Sequence, residues 1–108
     1  MPAEADKKAI QKALVARILD GDGASSGALR HDAFEIVVND GPLQGLLRKV
    51  ALTPARITDE DISSVKADGF TEDEVFELVI CAAVGQATRQ YESALAALSE
   101  ATAKSKAD

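Results

Sequence analysis

The chain has 108 residues, 46% hydrophobic and 28% charged, with 12 Lys and Arg against 18 Asp and Glu, one Cys and no Trp. That length predicts one domain able to build a core without staples, and a single Cys excludes an intrachain disulfide, while no Cys/His cluster has zinc spacing. A net charge of −6 repels phosphate backbones and anionic lipid, which excludes nucleic acid and membrane surfaces as partners.

The longest apolar run, Leu78 to Gly85, is far short of the roughly 20 residues that cross a bilayer, and MPAEADKK lacks a signal peptide's apolar core. A cytoplasmic protein is expected. Aromatics are only 4%, and Ala, Leu and Val dominate the apolar set, so the predicted class is all-α, a bundle of about five helices. Three stretches divide it: residues 1–24 as an N-terminal helix and flexible connector, 25–103 as the helical domain, and 104–108 as a polar tail.

The first predicted helix, Glu4 to Asp20, places Ile10, Leu14 and Ile18 at fourfold spacing, with Lys7, Lys8, Lys12 and Arg17 on the wet side. Gly21 stops it, and GDGASSG reads as a connector. A second helix starts at Ser25 or Ser26 and carries Leu29, Phe34, Ile36 and Val37 to a stop at Asn39, Asp40 and Gly41. A third opens on Pro42, whose fixed φ suits a first helical turn, presents Leu43, Leu46, Leu47 and Val50, and ends at Pro54.

Thr58 followed by Asp59, Glu60 and Asp61 is an N-cap with acidic residues on the positive end of the dipole, flanked by Ile57 and Ile62 as a hydrophobic staple. Gly69 suits a left-handed closing position, with Phe70 folding back onto Val65. Thirteen residues after Thr58, Thr71 and Glu74 repeat the grammar as a capping box. The two capped segments predict an antiparallel helical hairpin.

The last helix is predicted from Thr71 to about Ala103. Its line Phe76, Ile80, Ala83, Ala87, Tyr91, Ala94 and Leu98 is the expected apolar face, with Val75, Val79 and Ala82 as a second stripe. Small residues at Cys81, Ala82, Ala83 and Gly85 favour close helix approach. At 1.5 Å per residue this helix would reach about 50 Å, against a radius of gyration near 13 Å for a compact chain of this size, so it should overhang. Tyr91, Ala94, Leu95 and Leu98 on the overhang then need cover from the N-terminal helix or from a second subunit. A homo-oligomer, with a dimer favoured, is expected on that ground.

The segments ALRHDAF, GPLQGLLRKVAL and ITDEDISSVKADGFTEDEVFELVICAAVGQATRQYESALAAL, from Ala28 to Leu98, resemble the small all-helical proteins of the alkylhydroperoxidase D-like and carboxymuconolactone decarboxylase superfamily. The resemblance implies an alkylhydroperoxidase D-like helical fold. Catalytic members of that superfamily carry a Cys-x-x-Cys pair, a downstream His and an upstream Glu. With Glu77 in the place of that Glu, the thiol positions fall near Arg89 and Glu92 and the His position near Ala96, so this chain resembles a small member without the redox motif.

The residues offer few chemical candidates. Cys81, on the most apolar helix, reads as a buried thiol; its alternative is the nucleophile of a one-cysteine peroxidase. His31 and Glu35 lie four apart on one helical face, as a surface ion pair or, alternatively, an acid–base couple. Glu77, Arg89 and Tyr91 are polar groups on the central helix that require partners from other helices, a second subunit or a ligand. The two acidic clusters between Asp59 and Glu77 sit in first turns of helices and lack the alternation of a calcium loop. No metal or cofactor is expected. The predicted function is a noncatalytic helical module that works by self-association or by binding a protein partner or small apolar ligand; the alternative is an enzyme using Cys81, or His31 with Glu35.

Overall fold

A computed structural model of the chain describes residues 4–38 and 41–107, with side chains placed from Lys7 to Lys104 apart from residues 39 and 40. Among the described residues every regular element is helical: α1 (Glu4–Asp20), α2 (Gly27–Glu35), α3 (Pro42–Leu52), a short 3-10 turn (Pro54–Arg56), α4 (Asp59–Ala67) and α5 (Glu72–Ala107). None of these helices is long and apolar enough to cross a membrane.

The helix boundaries follow from local chemistry. The Ser26 hydroxyl accepts the Leu29 N–H at 3.1 Å and starts α2. That helix was expected to continue to Asn39, but it closes after Glu35; Asn39 and Asp40 lie outside the described residues. Ile36 turns left-handed at φ 58°, its N–H bonding to Ala33 O and the Val37 N–H to Asp32 O at 2.9 Å, the pairing of a Schellman close with isoleucine where glycine is usual. The β-branched run Ile36, Val37 and Val38 lowers helix propensity there. Pro42 opens α3 as expected, and Leu43, Leu46 and Leu47 are buried.

Both threonine caps form. Thr58 and Asp61 exchange bonds of 2.8 and 3.2 Å at the start of α4, and Thr71 and Glu74 exchange bonds of 2.9 and 3.2 Å at the start of α5. Gly69 between them takes φ 108°, a conformation that costs an L side chain energy. Asp61 also accepts two bonds from Lys49 Nζ, at 2.9 and 3.0 Å, tying α4 to α3. Chiefly the Lys49 ammonium, with the Thr58 N–H second, holds its carboxyl below the ordinary value of 3.8.

The core is Leu19, Ala33, Leu43, Leu46, Leu47, Val65, Val75, Leu78, Cys81 and Ala82, with Ile18, Leu29, Phe34, Ile62 and Phe70 packed at its margin. Here the expected apolar face of α5 is corrected. The helix turns Val75, Leu78, Cys81, Ala82 and Gly85 to the core, whereas Phe76, Ile80, Ala83, Ala87, Tyr91, Ala94 and Leu98 are exposed on the opposite side. The reason is steric. A Cβ on Gly85 would overlap the carbonyl of Phe34, so α2 rests on α5 where side chains are smallest.

Helix α5 is also longer than expected, continuing past Ala103 through Ala107. Its 36 residues span about 54 Å. The molecule accordingly measures 58 × 29 × 23 Å with a radius of gyration of 16.9 Å, against about 13 Å for a compact chain of this length.

Candidate functional site

Two neighbouring regions hold the residues singled out by the sequence. The first is the junction of α1, the connector, α2 and α5. Glu77, one turn into α5, accepts the backbone N–H of Ala24, the N–H of Ser25 at 3.2 Å and the Ser25 hydroxyl at 2.9 Å. A Cβ on Gly23 would stand 2.5 Å from Glu77 Oε1, so the glycine leaves room for this clasp. The connector backbone, expected to be free, is pinned to α5 at Ala24 and Ser25. The Ala24 N–H above all, aided by Ser25 and the nearby Arg30 guanidinium, holds the Glu77 carboxyl below its ordinary value of 4.5 against the opposing effect of burial.

Arg30 is buried beside this clasp, and its Nη1 donates to Ile18 O at 3.0 Å. That bond fastens the end of α1 to α2. Cys81 is fully buried, and burial pushes its thiol pKa up; Arg30 opposes that shift and Glu77 adds to it. A raised pKa leaves little thiolate at neutral pH.

His31 and Glu35 are held apart by different partners. His31 Nε2 lies 2.8 Å from Asp20 Oδ1, bridging α2 to the end of α1, while Glu35 Oε2 stands 3.9 Å from Arg89 Nη1. Arg89 itself donates to Phe34 O at 2.8 Å and to Gln86 Oε1 at 3.3 Å. Its guanidinium satisfies a carbonyl that the early end of α2 leaves free. Among the described residues, no three His, Cys, Asp or Glu side chains gather as a metal site requires.

The second region is apolar. α1 lies alongside α5, and a cleft of about 630 Å³ opens between them, with Val15, Phe34, Thr88, Tyr91 and Leu95 among its walls and Lys8 and Lys12 beside them. On the adjoining side, Ile10, Leu14, Val84, Ala87 and Tyr91 line one shallow groove. From there the outward stripe of α5 runs in both directions. Phe76 is 66% exposed, Tyr91 41% and Leu98 64%, with Ile10 at 66% and Leu14 at 55% beside it on α1. Tyr91 is therefore part of an apolar surface and has no hydrogen-bond role among the described side chains. Leu95, expected on the uncovered strip, is half-buried because α1 covers that flank.

Sequence reasoning named Glu77 and Arg89 without their partners. The clasp of Glu77 on Ala24 and Ser25, the buried Arg30 and the Asp20–His31 bridge were not foreseen. A signal existed only in the small connector residues and in a carboxylate set among the apolar residues between Val75 and Gly85, and the separations are 52 and 53 residues. No protein-family model, no curated protein and no solved structure matches the chain.

Proposed function

We propose that this protein is a noncatalytic helical module that acts by association through the outward face of α5 and the flanking face of α1. The observation that carries the reading is that α5 is apolar on two opposite sides, one filled by α2 and α3 and the other open. A helix apolar nearly all round is normally covered all round. Open apolar patches of several hundred Å² mark association surfaces.

The polar candidates support the same reading, because each already has a structural task. Glu77 clasps the connector, Arg89 closes α2, and His31 and Glu35 serve separate bridges. Cys81 lacks both a depressed pKa and access. An alkylhydroperoxidase D-like fold, with α4 and α5 as its antiparallel hairpin, remains part of this proposal on the strength of the capped segment from Ile57 to Leu98.

Light scattering coupled to size exclusion tests the reading, with a mass near twice 11.3 kDa expected at micromolar concentration. Saturable peroxide consumption lost in Cys81→Ser would overturn its noncatalytic part. A mass of 11.3 kDa persisting at high micromolar concentration would overturn self-association.

A further inference from the structure

We infer that the occupant of the outward face is a second copy of this chain, docked α5 against α5 in antiparallel register about a two-fold axis beside Ala87. This rests on the association reading and goes beyond it by fixing both the partner and the register.

A compact monomer of 11.3 kDa exposes about 5,700 Å² by size scaling, whereas this chain exposes 7383 Å². The excess of roughly 1,700 Å² exceeds the about 800 Å² that each partner contributes to a standard interface.

The order of side-chain sizes along the stripe fits the same pairing. Ala87 is the midpoint between Phe76 and Leu98, the two large residues that end the stripe. A two-fold axis there sets Ile80 opposite the partner's Ala94, Ala83 opposite the partner's Tyr91, and Ala87 opposite its own copy. Large residues thus meet small ones, and the central alanines let the two helix axes approach closely. Phe76 meets the partner's Leu98 at each end. Such a surface is self-complementary, as a two-fold interface requires. Parallel pairing would instead stack like on like and leave gaps at each alanine.

Charge points the same way. The stripe itself holds no ionisable group apart from the Tyr91 phenol, and the acidic first turn Glu72, Asp73 and Glu74 lies at one end of α5. Parallel pairing would bring two such turns together in a chain of net charge −6; the antiparallel register separates them by most of the helix and opposes the helix dipoles. Ile10 and Leu14 share a groove with Ala87, so the α1 helices extend the contact beside the axis.

Site-directed cross-linking tests the register. Under mild diamide oxidation, Ala87→Cys should link to its own copy, since the axis brings the two positions within disulfide reach. Ala94→Cys should fail to link to itself but should link to Ile80→Cys when the two variants are mixed. The parent chain, whose one thiol is the buried Cys81, is the control and should form no cross-link. In addition, Ala87→Glu should raise the dissociation constant at least about 100-fold while leaving the helical circular dichroism intact, because it buries unpaired charges at the axis. A dimer in which Ala94→Cys links to itself, in which Ala87→Cys does not link, or which survives Ala87→Glu overturns this register while leaving association standing. A parent chain that stays at 11.3 kDa at high micromolar concentration overturns the two-fold pairing and self-association together.

Discussion

The two long faces of α5 are both apolar and meet different fates. One carries Val75, Leu78, Cys81, Ala82 and Gly85 and is buried; the other carries Phe76, Ile80, Ala83, Ala87, Tyr91 and Leu98 and is open. The buried face has the one glycine of the helix, Gly85, while the open face alternates large residues with Ala83, Ala87 and Ala94. A neighbouring helix comes closest where side chains are small, and the α2 end sits directly on Gly85. The large residues Phe76, Ile80, Tyr91 and Leu98 are left exposed. Hydrophobic period locates both apolar stripes, and the one that bears Gly85 is the one on which α2 rests.

Substitution at Gly85 should break this division most severely. In Gly85→Leu the new side chain collides with the Phe34 carbonyl and lifts α2 from α5, with an expected loss of about 4 kcal/mol or more in urea unfolding. The same change at Ala83, two residues away on the open face, should cost little in the isolated fold. Equal losses at the two sites would refute the contrast.

Truncation gives the next effect. Leu78→Ala removes a fully buried side chain and should cost about 2–5 kcal/mol, whereas Phe76→Ala, although larger, should change the unfolding free energy of the dissociated chain by less than about 1 kcal/mol. Phe76→Ala should show itself in the measured mass. A buried-core penalty at Phe76 under dissociating conditions would place the core on the wrong side.

The polar junction at the buried end sharpens the comparison through pH. Glu77 has a folded pKa below the ordinary value of 4.5, so its contribution is fully present above that pH. It is lost as pH falls below 4.5 through the lowered folded value, because protonation then weakens the bonds from Ala24 and Ser25. Asp61, held below 3.8 chiefly by Lys49, keeps its contribution above that pH and loses it as pH falls through its own lowered folded value. Glu77→Gln should cost about 1–2 kcal/mol at neutral pH and flatten the fall in stability as pH drops below 4.5. An unchanged acid profile would show that the clasp contributes nothing.

The smallest expected effect is a gain. Ile36 holds a left-handed conformation that glycine adopts freely, so Ile36→Gly should stabilise the chain by up to about 1 kcal/mol, the relief being offset in part by glycine's unfolded-state entropy and the lost packing of a half-buried side chain. A loss larger than about 1 kcal/mol would mean that packing at this close outweighs its backbone strain.

The sequence by itself determined the helical class, the order of the helices, both threonine caps, the Gly69 turn and the proline start of α3, because each is written in residues within about four positions of one another. It also signalled that α5 would outrun a compact body. Tertiary structure alone decided which stripe of α5 faces inward, where α2 ends, and what Glu77, Arg89, His31 and Glu35 bind. The end of α2 illustrates the reason: Ile36, Val37 and Val38 only weaken the helix locally, and the Phe34 carbonyl is closed by Arg89, 55 residues away. The sequence shows that a carboxylate or a guanidinium needs a partner. Which backbone group becomes that partner depends on how closely α1, α2 and the connector approach α5, and the close approaches at Gly23 and Gly85 are set by the packed fold as a whole.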